Sequence, residues 1–159
     1  EGWPVLADQN QAENFVEDVE GSVQYANLRD YSNPLMWAKW EPGFEGGDLW
    51  TITAVDRSYE VTAEYELPPG AKAGLYLFYN EQANLGLQET ASHFFLRIRN
   101  VNNVATTEKS LDGETWTAVD TDVDVSGLHH NNYGGFFALR PALMISEGAT
   151  VKSFTYDVL

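Results

Sequence analysis

Residues Ser58–Leu67 read SYEVTAEYEL, and that string separates cleanly by parity. Tyr59, Val61, Ala63, Tyr65 and Leu67 fall on one side, while Ser58, Glu60, Thr62, Glu64 and Glu66 fall on the other. Successive side chains of a β-strand point to opposite faces of its sheet, so this is a strand with one face in a core and one in water. It stops at Leu67-Pro68-Pro69-Gly70, where proline removes a ladder donor and glycine supplies the turn.

The same grammar extends in both directions. Short alternating runs broken by turn residues predict strands near 22–28, 35–40, 49–55, 73–80, 84–89, 93–99, 103–109, 116–119, 135–140 and 150–158. Leu111-Asp112-Gly113-Glu114 is a hairpin signal. Almost nowhere is there a 3.6-residue apolar stripe. The expected fold is all-β, a two-sheet antiparallel β-sandwich of jelly-roll type. At 159 residues it reads as one domain over 1–159, with an irregular N-terminal arm over 1–21.

Composition narrows the chemistry. With 24 acidic and 9 basic residues the formal charge is −15, so nucleic acid and anionic membranes are poor partners. No apolar run approaches the roughly 20 residues of a membrane span. Cysteine is absent, which rules out disulfides, thiol nucleophiles and thiolate metal sites. Aromatic residues make up 13% of the chain, suiting β-structure and surfaces that stack on flat ligands.

Parity in three strands then points to a binding face. In 73–80 the core set is Leu75, Leu77 and Tyr79, which sends Tyr76, Phe78 and Asn80 outward. In 93–99 it is Phe94, Leu96 and Ile98, leaving His93, Phe95, Arg97 and Arg99 outside; in 135–140 it is Phe137 and Leu139, leaving Phe136, Ala138 and Arg140. If these strands share a sheet, its outer face interleaves aromatic rings with arginine, asparagine and histidine. A pyranose has an apolar C–H face and a rim of hydroxyls, so flat rings plus planar hydrogen-bonding groups suit it. The competing reading is a face covered by loops or another domain, with the arginines paired to acids.

Other candidates are weaker. Trp37 and Trp40 differ by an odd step, so at most one joins such a platform. His129, His130, Asn131 and Tyr133 lie in a polar loop before Gly134-Gly135; with His93 the only other histidine, they suit hydroxyl contacts or a structural turn better than zinc. A structural calcium would draw on Asp157 with Glu13, Glu17 or Asp18. The chain has no E-x-D-x-x-E strand, G-x-S-x-G elbow, phosphate loop or dinucleotide fingerprint. Lys72-Ala73-Gly74-Leu75-Tyr76 echoes a string of alginate lyases whose other segments are missing.

Several segments together resemble a known family. Ala73-Gly74-Leu75-Tyr76-Leu77-Phe78-Tyr79-Asn80-Glu81, Phe95-Leu96-Arg97-Ile98-Arg99, and Ser110-Leu111-Asp112-Gly113-Glu114-Thr115-Trp116 are followed by Val125-Ser126-Gly127-Leu128-His129-His130-Asn131 and Gly134-Gly135-Phe136-Phe137-Ala138-Leu139-Arg140-Pro141. In this order they look like the C-terminal module of family 43 glycoside hydrolases, the β-xylosidases and arabinofuranosidases with a concanavalin A-like sandwich. The resemblance covers roughly residues 58–159. It implies a secreted or periplasmic bacterial carbohydrate-binding module, itself no enzyme, that targets xylan or a related plant polysaccharide for an attached catalytic domain. The alternatives are a structural domain that buttresses the catalytic domain and, less favoured, a jelly-roll polysaccharide lyase. Tyr76, Phe78 and one of Trp37 or Trp40 are expected to stack on sugar; Arg97, Arg140, Asn80, His93 and the loop through His129, His130, Asn131 and Tyr133 would bond hydroxyls.

Overall fold

The computed structural model describes residues 37–52, 54, 56–135 and 137–159. The expected strand at 22–28 and the arm over 1–21 lie outside them. Ten strands follow in order: β1 (Trp37–Phe44), β2 (Gly47–Ile52), β3 (Ser58–Glu66), β4 (Ala73–Asn80), β5 (Ala83–Glu89), β6 (His93–Val101), β7 (Val104–Ser110), β8 (Thr117–Asp124), β9 (Arg140–Ile145) and β10 (Thr150–Val158). One helical turn, α1 (His130–Tyr133), interrupts the link from β8 to β9. All pairings are antiparallel. One sheet runs β1-β2-β9-β4-β5 and the other β10-β3-β6-β7-β8, which is the expected two-sheet sandwich.

The parity of SYEVTAEYEL holds: Tyr59, Val61, Ala63 and Tyr65 are buried while Glu66 is exposed and Glu60, Thr62 and Glu64 are half-buried. Leu75 and Leu77 of β4, Phe94, Leu96 and Ile98 of β6, and Phe154 and Tyr156 of β10 complete the layer between the sheets. Each fully buried side chain of this size contributes about 1.5–3 kcal/mol by leaving water. The Tyr65 hydroxyl reaches across the core and donates to the Gly74 carbonyl. Burial pushes its pKa well above the ordinary tyrosine value, so it remains a donor.

Two expectations fail. The strand expected at 135–140 begins only at Arg140. Gly134 and Gly135 both take positive φ, 74° and 68°, and turn the chain over the sandwich before it enters the sheet. Phe137 is consequently 44% exposed rather than in the core, although Leu139 does pack against the core. Second, β4 and β9 are neighbours, but β6 lies in the other sheet. The three outward-facing sets therefore do not form one platform; Arg140 and Arg97 sit on opposite outer faces of the sandwich.

Candidate functional site

The outer face of the first sheet carries the aromatic residues. β4 pairs with β9 so that Phe78 lies beside Arg140 and Tyr76 beside Ala142. Strand β4 is buried along almost its whole length, because a second apolar cluster of Leu49, Tyr76, Phe78, Ala142 and Met144 forms outside the sheet. Trp40 and Phe44, brought over by β1, pack against that cluster. The Trp40 ring meets Phe78 edge-on at 5.0 Å, and Phe44 meets Phe78 at 5.1 Å and Tyr76 at 5.2 Å.

These contacts correct the sequence reading. Phe78 is 0% exposed and leaves no ring face for a sugar. Tyr76 is also buried; its hydroxyl accepts from Gln88 Nε2 at 2.6 Å, and burial raises its pKa to about 12. Asn80 serves the β4–β5 turn, its Oδ1 accepting from the Gln82 backbone N–H at 2.9 Å. Trp37 opens β1, and only its backbone is described.

What remains open is a corner. Phe137 stands edge-on to Trp40 at 5.2 Å and to Tyr79 at 5.5 Å. The Tyr79 hydroxyl donates to the Gly134 carbonyl at 2.6 Å and accepts from the Phe137 N–H at 3.4 Å, tying this loop to β4. The Arg140 guanidinium lies 5.6 Å from the Trp40 ring and 5.3 Å from Phe137. It is anchored by bonds from Nε to the Ala138 carbonyl (2.9 Å) and from its terminal nitrogen to the Tyr79 carbonyl (2.8 Å). Partial burial lowers its pKa, yet arginine stays charged throughout the physiological range. Trp40 Nε1 donates to Glu81 at 2.6 Å. Phe137, assigned to the core by parity, is thus the most accessible ring of the site, and the glycine pair before it is the signal that parity ignores.

The histidine loop is built largely on itself. His129 caps α1, its Nδ1 accepting from the Asn131 N–H at 3.2 Å, and Asn132 donates to the Gly127 carbonyl at 2.8 Å. His130 and Asn131 are exposed, and Tyr133 is 39% exposed. The two imidazoles lie 6.1 Å apart and are steeply inclined.

On the opposite face the arginines pair with acids, the alternative considered above. Arg97 Nε lies 2.6 Å from Glu108 and 3.3 Å from Glu60, and its guanidinium stacks 3.9 Å above Trp116. Arg99 pairs with Glu60 at 3.1 Å, and His93 meets Glu64 at 2.6 Å. As for calcium, Glu13, Glu17 and Asp18 lie outside the described residues. Asp157 sits in β10 opposite Glu60, and among the described residues no cluster of three acidic or histidine side chains is arranged for a metal ion.

No protein-family model matches the chain, and no curated protein matches it. Solved structures do. A mutant of the family 43 glycoside hydrolase protein BlXynB from Bacillus licheniformis superposes with a TM-score of 0.61 at 15% identity, over 80% of this chain and 34% of that one. A xylan β-1,4-xylosidase from Bacillus halodurans gives 0.59 at 14% identity, over 79% of this chain and 33% of that one. The chain therefore spans about a third of the length of the structures it matches. It shares its two-sheet fold with that third of a family 43 glycoside hydrolase chain, the family its sequence resembles.

Proposed function

We propose that this chain is a non-catalytic accessory sandwich that works outside the cell beside a glycoside hydrolase domain, and that it binds xylan or a related plant polysaccharide through the Trp40–Phe137–Arg140 corner. The observation that carries this reading is the Phe137 ring, half exposed and braced by Trp40 and Tyr79, with the Arg140 guanidinium alongside. A braced ring loses little freedom when a sugar stacks on it. Arg140 uses two of its five donors on backbone carbonyls, and the others can bond hydroxyls.

Affinity gel electrophoresis through xylan, arabinoxylan and mixed-linkage glucan tests the proposal. Retardation by xylan is expected, and Phe137→Ala should weaken it roughly tenfold, the scale of one lost stacking contact. Migration unaffected by every polymer would sink the sugar-binding reading. A second reading, that the corner docks onto the catalytic domain, is favoured by the burial of Tyr76 and Phe78, which leaves so small an open ring surface. It predicts that adding this chain raises the thermal midpoint of the separate catalytic domain without any sugar.

A further inference from the structure

Several cations of this acidic chain are held by carboxylates: Arg97 pairs with Glu108, Arg99 with Glu60 and Lys109 with Glu89. Arg140 is placed differently. It is half-buried, its guanidinium 5.6 Å from the Trp40 ring, 5.9 Å from Phe78 and 5.3 Å from Phe137. Among the described residues no carboxylate pairs with it; its two bonds go to the neutral carbonyls of Ala138 and Tyr79. Glu81, the acid at this corner, is taken up by Trp40 Nε1. A cation drawn among rings loses hydration, which the ring faces restore only in part and a counter-charge restores further.

The donors left over suit a carboxylate. Nε spends its one N–H and Nη2 one of its two on the carbonyls, so Nη1 keeps both and Nη2 keeps one. N–H groups on adjacent nitrogens of a planar fork match the two oxygens of a carboxylate, and each such bond is roughly twice as strong as a neutral one. The backbone anchors hold the fork in place beforehand, so little side-chain freedom is lost on binding. Beside it stands a fixed flat surface. Gly135 lies against the Phe137 ring, where a Cβ would come within 2.9 Å, and Trp40 and Tyr79 brace the ring edge-on, yet Phe137 is 44% exposed.

We propose that the corner selects a uronosyl residue, its ring stacked on Phe137 and its carboxylate bonded by the Arg140 guanidinium. This rests on the sugar-binding reading above and names the sugar that the site prefers. A uronate carries its carboxylate directly on ring carbon C5, beside the apolar C–H face, so one sugar supplies both contacts. The formal charge of −15 restricts the source. A polyuronate carries a negative charge on every sugar and meets repulsion along its length. A lone uronosyl branch on a neutral chain presents its one charge at the contact, while protein charges beyond the Debye length, about 8 Å at 0.15 M salt, are screened. The ligand is therefore a uronosyl branch on an otherwise neutral polysaccharide.

Isothermal titration calorimetry is the test. The probes are xylotetraose, xylotetraose bearing one glucuronosyl branch, the same branched molecule with its carboxyl group reduced to the alcohol, and a galacturonic acid trimer. The acidic branch should bind about tenfold more tightly than its reduced form. Arg140→Gln should erase that difference, and Arg140→Lys, which keeps the charge but not the fork, should retain only part of it. The comparison of acidic and reduced branches in the unaltered chain decides the matter even if neither variant folds. Equal affinity for the two, both weakened by Phe137→Ala, overturns the uronate assignment and leaves the neutral-sugar reading standing. Tighter binding of the galacturonate trimer than of the acidic branch overturns the assignment to a branched neutral chain. Binding of no probe overturns the sugar-binding reading and this proposal together, and leaves Arg140 to a carboxylate of a neighbouring protein domain.

Discussion

Asp112 shows how much one exposed side chain can organise. Its Oδ1 accepts from the backbone N–H groups of Glu114 and Thr115, both at 2.8 Å, and from the Ser110 hydroxyl at 3.0 Å. These bonds favour the carboxylate and hold its pKa at about 2, below the ordinary aspartate value. A group whose pKa falls on folding contributes stability that is full above its unfolded value and disappears as pH drops through its folded value. Asp112→Asn, which resembles the protonated acid, should therefore be less stable than the parent at neutral pH. The difference should shrink steadily between about pH 5 and pH 2. Urea unfolding across that range checks it; a gap that stays constant with pH would mean that the charge on Asp112 plays no part. The Leu111-Asp112-Gly113-Glu114 signal was legible because aspartate bonding to nearby backbone N–H groups is local chemistry.

At the scale of the element, β4 and β5 explain why rings that parity sends outward end up buried. Gly86 of β5 lies directly opposite Tyr76. A Cβ at Gly86 would overlap the Tyr76 ring and the Leu75 carbonyl, and one at Gly74 would come within 2.8 Å of the same ring. The ring therefore lies down across the glycines, and its hydroxyl ends at Gln88. Gly86→Ala should lift it and destabilise the protein by about 1–3 kcal/mol, the usual cost of overpacking. Tyr76→Leu in the same chain should recover part of the loss. Unchanged stability in Gly86→Ala, measured by denaturant unfolding, would show that Tyr76 does not occupy this bed. Which side of a strand a residue takes was readable throughout β3, β4 and β6. Whether that side meets water was not, since it depends on Phe44 and Trp40 arriving from β1.

The whole molecule decides which strands share a sheet, and period-two patterning is silent about that. β9 enters between β2 and β4 from the far end of the chain, whereas β6, near β4 in sequence, crosses to the other sheet. Arg97 and Arg140 looked alike in sequence for this reason, yet one is locked between glutamates and Trp116 while the other borders an open ring. Charge is a property of this scale as well. The formal −15 is a repulsion spread over the entire chain, and ion pairs such as Arg97–Glu108 offset it only locally. The Debye length falls from about 30 Å at 0.01 M salt to about 8 Å at 0.15 M, so added sodium chloride screens the distant repulsions more than the contact pairs. The thermal midpoint should rise over that interval, and scanning calorimetry at the two salt concentrations measures it. A falling midpoint would mean that the close ion pairs outweigh the net charge. Binding of a neutral xylan should meanwhile be insensitive to the same change in salt, because stacking on Phe137 and bonds to hydroxyls involve no ligand charge. Retardation that weakened sharply with salt would instead identify a charged polymer at the corner.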